Sequence, residues 1–397
     1  MTTRRVSKGD GLLEANEKLV TQFGATRMNE LVNVPDFRTF RNGLFYSHRD
    51  FDGFYKALLQ GERSSIVSGL NPSGRLHLGH KVVFDTCLYF QQKHGIMVYI
   101  PLSDDESYVS GRVRTREEAL VNAVFLVRGL LAYGFDPQHT KVVLDFNYPE
   151  IFNMAMTLST KLSVTTVLGT YGYGQPQAVE RRDSDGQGNS STYTINGGTN
   201  VGLVFYPAVQ AAHVLLPEIK AGIKNTLVPI GPDEDAHLRI GRKIAEDMGY
   251  AKPAIVHARF MPDMGMNKMS KSRPDGVIFL DEEESSVRRK IQVSYSGGGA
   301  TLAEHRKNGG NPDIDIAVIY LTSYFLTYAE GQKLRESYSS GSITSGEVKG
   351  MLTEHLVPFT NAFQERLSQV SGEEILSVLM TENGYVAPEL RELVRKR

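Results

Sequence analysis

Residues 64–102 read SSIVSGLNPSGRLHLGHKVVFDTCLYFQQKHGIMVYIPL, and this stretch contains the elements that define the fold. The apolar run at its start, residues 64–70, is typical of a short buried strand. A turn and a helix that ends at Gly95 follow, and residues 96–102 form a second apolar run. A strand, a helix and a strand in this order predict a parallel sheet with a right-handed crossover.

The alternation of strands and helices continues beyond this unit. Three further strands are predicted at residues 141–146, 225–231 and 254–260, with helical segments between them. Five strands separated by helices are typical of a doubly wound sheet with helices on both faces. We therefore predict an α/β fold with a Rossmann-like parallel sheet over residues 61–280.

Three other regions depart from this pattern. Residues 1–60 are polar and are predicted to form a helical N-terminal segment. Residues 169–200 are rich in Gly, Ser, Asn and Gln, and are predicted to be a long loop inserted in the sheet domain. Residues 281–397 have a mostly helical pattern, which predicts a separate α-helical C-terminal domain.

The composition excludes several classes of protein. Hydrophobic residues make up 41% of the 397 residues, as in ordinary globular proteins. The N-terminus lacks the apolar core of a secretory signal, and no apolar run reaches the length that a bilayer needs. The single cysteine, Cys87, excludes an internal disulfide and a metal site built on several thiolates. These features predict a cytoplasmic protein without a membrane span.

A nucleic-acid partner would have to be held by local charge, because the formal net charge is −1. Basic residues cluster at 288–290, at 306–307 and in the tail from 391 to 397. Each cluster fits either a patch that contacts nucleic acid or the solvated face of a helix, and the solvated face is the commoner case.

A motif of glycines and histidines lies where the first strand turns into the first helix. Residues 68–80 read SGLNPSGRLHLGH, and a parallel sheet binds ligands beyond the carboxyl ends of its strands. His77 and His80 are three apart at the helix start, so both imidazoles can donate hydrogen bonds to phosphate oxygens. Gly69 allows close approach of a ligand to the backbone. The alternative is a turn with incidental histidines.

A second motif, KMSKS at residues 268–272, follows the last predicted strand. Lys268 and Lys271, together with Ser270 and Ser272, can hold a triphosphate and neutralise the charge that grows during transfer at phosphorus. The alternative is a solvated basic loop.

Two acidic clusters also follow predicted strands. Residues 231–235 read GPDED, in which Asp233 can accept hydrogen bonds from ribose hydroxyls, and the alternative is an acidic helix N-cap. Residues 103–106 read SDDE. Three carboxylates there can bind an ammonium group or Mg²⁺, or can begin the next helix. No residue is assigned as the ligand of a resident metal.

The pair HxGH and KMSKS resembles the signature of the class I aminoacyl-tRNA synthetases. More narrowly, most of the chain is similar to the tryptophanyl-tRNA synthetase family of the archaeal and eukaryotic type. Residues 104–108, DDESY, resemble its DDEKY element, and residues 206–212, YPAVQAA, resemble its FPAIQAA element. Residues 296–320, which contain SGGG, EHR and GGN, are similar to a long run of that family.

This resemblance implies that the chain uses ATP and Mg²⁺ to convert an amino acid, tryptophan in that family, to an aminoacyl-adenylate, and then transfers it to tRNA. It also implies a homodimer and contact of the C-terminal domain with the anticodon. Stabilisation of phosphate charge is assigned to His77, His80, Lys268 and Lys271. Contacts with ATP are assigned to Gly69, Asn71, Gly79, Asp233, Met269, Ser270 and Ser272. Contacts with the amino acid are assigned to Val67, Pro101, Glu106, Gln210 and Glu234.

The chain departs from that family in the amino-acid pocket. Val67 and Pro101 stand where the eukaryotic family has a Tyr and a Gln that bind the indole N–H. The side chains of Val and Pro cannot accept a hydrogen bond. Glu234 replaces a third family residue, a Gln, and Asn71 replaces a Gly. Two hypotheses follow: a tryptophan enzyme with a variant pocket, or a paralogue that activates a different amino acid.

Two further alternatives place the chain outside the synthetases. One is a regulator that binds nucleotide or tRNA without catalysis, and the intact HxGH and KMSKS motifs argue against it. The other is a nucleotidyltransferase of another kind, since HxGH also occurs in such enzymes. The run at residues 296–320 and the helical C-terminal third favour the synthetase.

Overall fold

Nine strands are present in the computed structural model, which describes residues 10–172, 177–182, 190–195, 199–269 and 273–395. The strands are β1 (Thr26–Arg27), β2 (Phe45–Arg49), β3 (Ser64–Val67), β4 (Met97–Leu102), β5 (Thr140–Leu144), β6 (Gln177–Arg182), β7 (Ser190–Ile195), β8 (Asn225–Ile230) and β9 (Ala254–Ala258). Seven of them form one sheet in the order β1-β2-β9-β8-β3-β4-β5, and β6 pairs with β7. From β9 to β5 all neighbours are parallel, which confirms the predicted Rossmann-like sheet.

The direction of winding reverses between β3 and β8. From β3 the chain moves outward through β4 to β5, whereas β8 and β9 lie on the other side of β3. Open α/β sheets bind ligands in the crevice at such a reversal, outside the carboxyl ends of the strands. The crevice here lies beyond Val67 and Ile230, where the motif at residues 68–80 and the acidic loop at residues 231–235 begin.

Helices cover both faces of the sheet. The α-helices that the structure describes are α1 (Asp10–Thr21), α2 (Arg38–Arg41), α3 (Phe51–Leu59), α4 (Lys81–His94), α5 (Asp104–Val109), α6 (Arg116–Tyr133), α7 (Glu150–Ser159), α8 (Val164–Tyr171), α9 (Val201–Ala221), α10 (Asp235–Met248), α11 (Glu284–Gln292), α12 (Leu302–Asn308), α13 (Ile316–Tyr320), α14 (Tyr328–Ser339), α15 (Ser345–Gln369), α16 (Gly372–Val378) and α17 (Pro388–Arg395).

Alternate residues of each strand belong to two separate cores, because successive side chains of a strand point to opposite faces. Ile66 packs in the core that contains α4, α6 and the C-terminal helices. Its neighbour Val67 packs in the core that contains α7, α9 and α10. Burial on both faces explains why the parallel strands have nearly continuous apolar sequences.

The first helix of the βαβ unit ends where its sequence predicts. Gly95 caps α4 with a φ of 62°, a left-handed conformation that a residue with a side chain rarely adopts. The chain then enters β4 two residues later.

The prediction of a wholly helical N-terminal segment is wrong at residues 45–49. These residues form β2, which pairs antiparallel with β9. Within β2 the Ser47 hydroxyl lies 3.0 Å from His257 Nδ1, and Arg49 forms an ion pair of 2.7 Å with Asp235. Phe45 and Tyr46 are strong strand formers, and pairing with β9 determines the structure of this segment.

The prediction of a loop over residues 169–200 is also incorrect in part. Helix α8 extends to Tyr171, and β6 and β7 form an antiparallel pair in which Gln177 is opposite Ile195 and Arg182 is opposite Ser190. The residues of these two strands include Val, Thr, Tyr and Ile, whose strand preference the Gly-rich composition of the whole segment concealed. The rest of residues 173–198 lies outside the described residues.

Among the described helices, α9 is the one that is long and apolar enough to cross a membrane. Just over half of its most apolar window, 56%, is buried inside the protein, where α9 packs against α7 and α10. Val209, Ala212 and Leu216 of α9 belong to the second core. These contacts are those of a core helix.

The last third of the chain is helical, as predicted, and it shares a core with the sheet. Val287, Leu352 and Leu356 belong to the same cluster as Ile66. After α16 the chain reaches β5, where the amide of Met380 donates a hydrogen bond of 2.8 Å to the carbonyl of Val142. A boundary of domains at residue 281 therefore remains a prediction.

Candidate active site

The two histidines of the first motif lie side by side at the start of α4. His77 caps the 3₁₀ turn Leu78–His80, and its Nδ1 accepts a hydrogen bond of 3.1 Å from the amide of Gly79. A neutral imidazole that accepts at Nδ1 carries its proton on Nε2, so His77 presents an N–H group at Nε2. The two ring centroids are 4.1 Å apart. Contacts within the protein thus hold the two rings next to each other.

Gly79 of the first motif faces Met269 of the second motif and has no room for a side chain. A Cβ at this position would lie 2.7 Å from His77 Cε1 and 3.0 Å from the sulfur of Met269, which belongs to the second motif. The segment after the second motif also pairs with the first, since the amide of Leu78 donates to the carbonyl of Ile278 at 3.1 Å. The fold therefore brings the two motifs into direct contact, although about 190 residues separate them.

Lys268, the first residue of the second motif, contacts the acidic loop at the end of β8. Its Nζ lies 2.9 Å from Asp233 Oδ2 and 4.0 Å from the centroid of the Phe260 ring. About half of each charged side chain is exposed, 48% for Lys268 and 51% for Asp233, so both can reach a ligand in the crevice. Ser270, Lys271 and Ser272 lie outside the described residues.

A buried carboxylate holds the start of the loop that carries the second motif. Asp263 Oδ1 accepts hydrogen bonds from the amides of Gly265 and Asn267, at 2.9 and 2.8 Å. The amide of Asp263 in turn donates to the carbonyl of Asn267 at 2.7 Å. This turn fixes the backbone directly before Lys268. Asp263 is not among the residues predicted from the sequence, although an Asp followed by Gly and Asn is a common turn signal.

The sequence matches a family model over residues 59–360, and that family is described as tRNA synthetases class I (W and Y). The chain belongs to this family. The tryptophan–tRNA ligase of Methanopyrus kandleri is 35% identical to this synthetase over 367 residues, which cover 90% of the chain and 92% of the relative. The tryptophan–tRNA ligase 2 of Halobacterium salinarum is 36% identical over 359 residues, with 88% and 86% covered.

Solved structures agree with this assignment. The tryptophanyl-tRNA synthetase of Aeropyrum pernix K1 superposes with a TM-score of 0.79 at 27% identity, covering 94% of this chain and 99% of that one. The tryptophanyl-tRNA synthetase of Encephalitozoon cuniculi, solved with bound tryptophan, gives a TM-score of 0.77 at 26% identity, covering 93% and 98%. The protein is an aminoacyl-tRNA synthetase with the class I catalytic fold.

On one side of the synthetase crevice, Glu106 accepts hydrogen bonds from two side chains, and a third side chain holds one of those two. The Asn71 amide donates to Glu106 Oε2, as does Arg112 at 2.6 Å, and the Ser107 hydroxyl donates to Asn71 Oδ1 at 2.5 Å. Burial raises the pKa of Glu106, and the Arg112 guanidinium opposes that rise. Asn71 was predicted to contact ATP. In this structure its side chain bonds to Glu106, which was predicted to contact the amino acid.

On the other side, Gln210 and Glu234 belong to a ring of polar side chains. The Tyr171 hydroxyl donates to Gln210 Oε1 at 2.6 Å, and the Tyr171 ring stacks on His237 with centroids 4.0 Å apart. His237 Nδ1 in turn lies 3.1 Å from Glu234 Oε2. Partial burial raises the pKa of Glu234, but hydrogen bonds from His237 and Gln210 outweigh it, so the net shift of this pKa is downward. Glu234 is therefore a carboxylate at neutral pH.

Val67 and Pro101 are buried on the same face of the sheet. Val67 is opposite Tyr99 in the pairing of β3 with β4, and Pro101 is two residues further along β4. The carbonyl of Pro101 accepts a hydrogen bond of 2.9 Å from the amide of Leu70. A Cβ at Gly69 would lie 3.8 Å from that carbonyl, which is an ordinary contact. The structure thus shows Val67 and Pro101 as two buried apolar side chains on one face of the sheet.

The structure adds several residues to those predicted from the sequence. They are Tyr171, His237, Arg112, Phe260 and Asp263. His237 lies three residues after Glu234, a helical spacing that could have revealed the pair. Tyr171 and Gln210 are 39 residues apart, and nothing in the sequence indicates that contact.

Proposed function

We propose that this synthetase is a tryptophan–tRNA ligase, which activates tryptophan with ATP and transfers it to tRNA. The observation that carries the proposal is the contact of the two motifs at Gly79 and Met269 beside the crevice. This contact supports a shared role for His77 and Lys268 in binding one triphosphate. The similarity to two archaeal tryptophan–tRNA ligases over about nine-tenths of the chain supports the choice of amino acid.

In this proposal ATP binds with its phosphates between the motifs. His77 and His80 donate hydrogen bonds to phosphate oxygens, and Lys268 and Lys271 neutralise the charge that develops when the amino-acid carboxylate attacks the α-phosphorus. Pyrophosphate leaves, and Mg²⁺ accompanies the nucleotide to neutralise its phosphates. Gly69, Gly79, Met269, Ser270 and Ser272 complete the contacts with ATP.

Asp233 binds the ribose hydroxyls in this scheme. Since Asp233 forms an ion pair with Lys268, nucleotide binding must exchange this pair for two contacts with ATP. An exposed pair contributes only about 0–1 kcal/mol, so its separation costs little.

In the amino-acid pocket, Glu106, Gln210 and Glu234 surround the ammonium group, while Val67 and Pro101 pack on the side chain. A pocket that has lost a hydrogen-bonding partner for its substrate discriminates less strongly on that group. The second candidate, a paralogue that activates a different amino acid, is favoured by this loss at Val67 and Pro101.

The acceptor and the assembly complete the proposal. The C-terminal helices contact the anticodon of tRNA, and the protein acts as a cytoplasmic homodimer without a membrane. Of the three basic clusters, that at residues 288–290 is partly structural, because Lys290 is buried and lies 2.6 Å from Glu282 Oε1. Arg289 and Lys307 are exposed. Lys396 and Arg397, at the end of the tail cluster, lie outside the described residues.

The test of activation is ATP–pyrophosphate exchange by the purified protein with each standard amino acid in turn. We expect tryptophan alone to raise exchange above the rate measured without amino acid. Exchange with another amino acid alone would establish the paralogue. Exchange with none would overturn activation itself.

The transfer step is tested by attachment of labelled tryptophan to tRNA. Exchange without attachment would support activation of tryptophan and contradict its transfer to tRNA. Sedimentation velocity measures the assembly directly, and a monomer at working concentration would contradict the homodimer.

A further inference from the structure

Three aspartates meet in the interior at the carboxyl ends of β4 and β5. Asp104 and Asp105 are the first residues of α5, and Asp145 follows β5 directly. One carboxylate oxygen from each lies within 4.8 Å of the others. Asp104 and Asp145 are fully buried and Asp105 is 7% exposed. The proposed activation of an amino acid uses none of them.

In each of the three carboxylates, one of the two oxygens makes a hydrogen bond with the protein. Asp104 Oδ1 accepts a hydrogen bond of 2.7 Å from the amide of Asp145, and Asp105 Oδ1 accepts one of 2.6 Å from the amide of Glu106. Asp145 Oδ1 lies 2.6 Å from His213 Nε2 on α9. These bonds orient the carboxylates and leave the second oxygens to be explained.

Two of the second oxygens are buried acceptors without a donor. Within the described part of the chain, neither Asp104 Oδ2 nor Asp145 Oδ2 has a hydrogen-bond partner. A buried polar atom without a partner costs about 1–3 kcal/mol, and more when it is charged. Two such atoms in one cluster of carboxylates indicate that something other than the protein satisfies them.

We propose that Asp104, Asp105 and Asp145 bind a divalent cation of the Mg²⁺ and Mn²⁺ class. Three carboxylate oxygens are the hard ligands that such ions prefer, and an imidazole that orients a ligating carboxylate from outside is a familiar arrangement. The ion joins the start of α5, which follows β4, to the residue directly after β5. It therefore fixes the start of α5, the helix that carries Glu106. This site is separate from the ion that accompanies ATP.

A proton is the competing occupant. Burial raises the pKa of Asp105 to about 9 and that of Asp104 to about 7, so protonated carboxyl groups could also relieve the cluster. The two occupants can be distinguished by experiment. If the occupant is a cation, the melting temperature depends on the concentration of divalent metal, and if it is a proton, the melting temperature does not.

The test uses the full chain, dialysed against EDTA, without ATP or amino acid. Mn²⁺ is the probe, and its free concentration is followed by electron paramagnetic resonance while melting temperature is recorded in parallel. The variants are Asp104→Asn and Asp145→Asn, each of which can keep the oxygen that the protein holds and replace the one without a donor. Asp247→Asn, which changes an exposed carboxylate paired with Lys243, is the matched control.

We expect one Mn²⁺ per wild-type chain, with a rise in melting temperature on binding. Either cluster variant should weaken binding by more than about 100-fold and abolish the rise, while Asp247→Asn keeps both. If wild type binds no Mn²⁺ at millimolar concentration, or if the variants bind it as wild type does, the proposal is overturned. Should both variants fail to fold, the wild-type titration still decides. Because no substrate is present, the outcome is independent of the proposed ligase activity.

Discussion

Lys268 Nζ lies 2.9 Å from Asp233 Oδ2, so a residue of the second motif is held by the loop that is expected to bind ribose. Lys268→Met removes the charge and keeps most of the side-chain volume. We expect kcat/KM for ATP–pyrophosphate exchange to fall by about 10²–10³-fold, because one donor to the developing phosphate charge is lost. Lys243→Met, at an exposed i,i+4 pair with Asp247, should leave exchange unchanged. Equal rates for both variants would exclude Lys268 from the chemistry.

Gly79→Ala tests the contact between the motifs. The added Cβ would meet His77 Cε1 at 2.7 Å and Met269 Sδ at 3.0 Å, so one motif must shift. A shift of this size at reacting groups costs about 100-fold in rate, and we expect that loss in kcat for exchange. Gly53→Ala in α3 is the control, since among the described residues only its chain neighbours and its own helix backbone can lie within 4 Å of its added Cβ. It should be neutral or stabilise the protein by about 0.5–1 kcal/mol.

Tyr171→Phe tests the polar ring of the amino-acid pocket. The variant keeps the stacking on His237 and removes the donor to Gln210 Oε1. We expect KM for the amino acid to rise by about fivefold with little change in kcat, as the loss of one hydrogen bond of about 1 kcal/mol implies. The corresponding change at an exposed tyrosine, Tyr385→Phe, should have no effect. An unchanged KM for Tyr171→Phe would remove the ring from substrate binding.

Asp235→Asn is expected to destabilise the protein. Burial tends to raise the pKa of Asp235, but hydrogen bonds from His257 and Arg49 outweigh it and hold the pKa well below its ordinary value. The variant leaves the guanidinium of Arg49 without its buried carboxylate, which costs about 3–5 kcal/mol. Urea unfolding at neutral pH measures the loss.

The pH dependence of this contribution has a definite sign. A carboxylate whose pKa is lowered on folding stabilises the protein fully above its ordinary pKa of about 3.9 and loses that effect as the pH falls further. The difference in unfolding free energy between wild type and Asp235→Asn should therefore be constant near neutral pH and shrink below about pH 4. A difference that grows on acidification would contradict the ion pair.

The five parallel strands could be predicted because both faces of the sheet are buried. Ile66 packs on one face and Val67 on the other, so the sequence of the strand is a continuous apolar run. Strand β2 could not be predicted, since alternation over five residues that are mostly aromatic or polar is too short to separate a strand from a helix. Its pairing with β9, more than 200 residues away, is what makes it a strand.

The residues of the site also differ in how far the sequence predicts them. His77, His80 and Lys268 were predicted because they lie within short motifs whose spacing has a physical meaning. The contact of Asp104 with the amide of Asp145 joins residues 41 apart, and that of Tyr171 with Gln210 joins residues 39 apart. Such contacts depend on how strands and helices pack, and the sequence alone does not contain that information.

The pairing at the two margins of the parallel sheet has a practical consequence. Segments from outside residues 61–280 cover both edges of the parallel sheet. Strand β2 pairs with β9 at one edge, and the amide of Met380 donates a hydrogen bond to the carbonyl of Val142 in β5 at the other. A fragment limited to residues 61–280 would expose two rows of unpaired backbone groups, which are templates for association between chains. Such a fragment should aggregate even if its crevice is intact, so the catalytic unit cannot be trimmed to the Rossmann-like sheet.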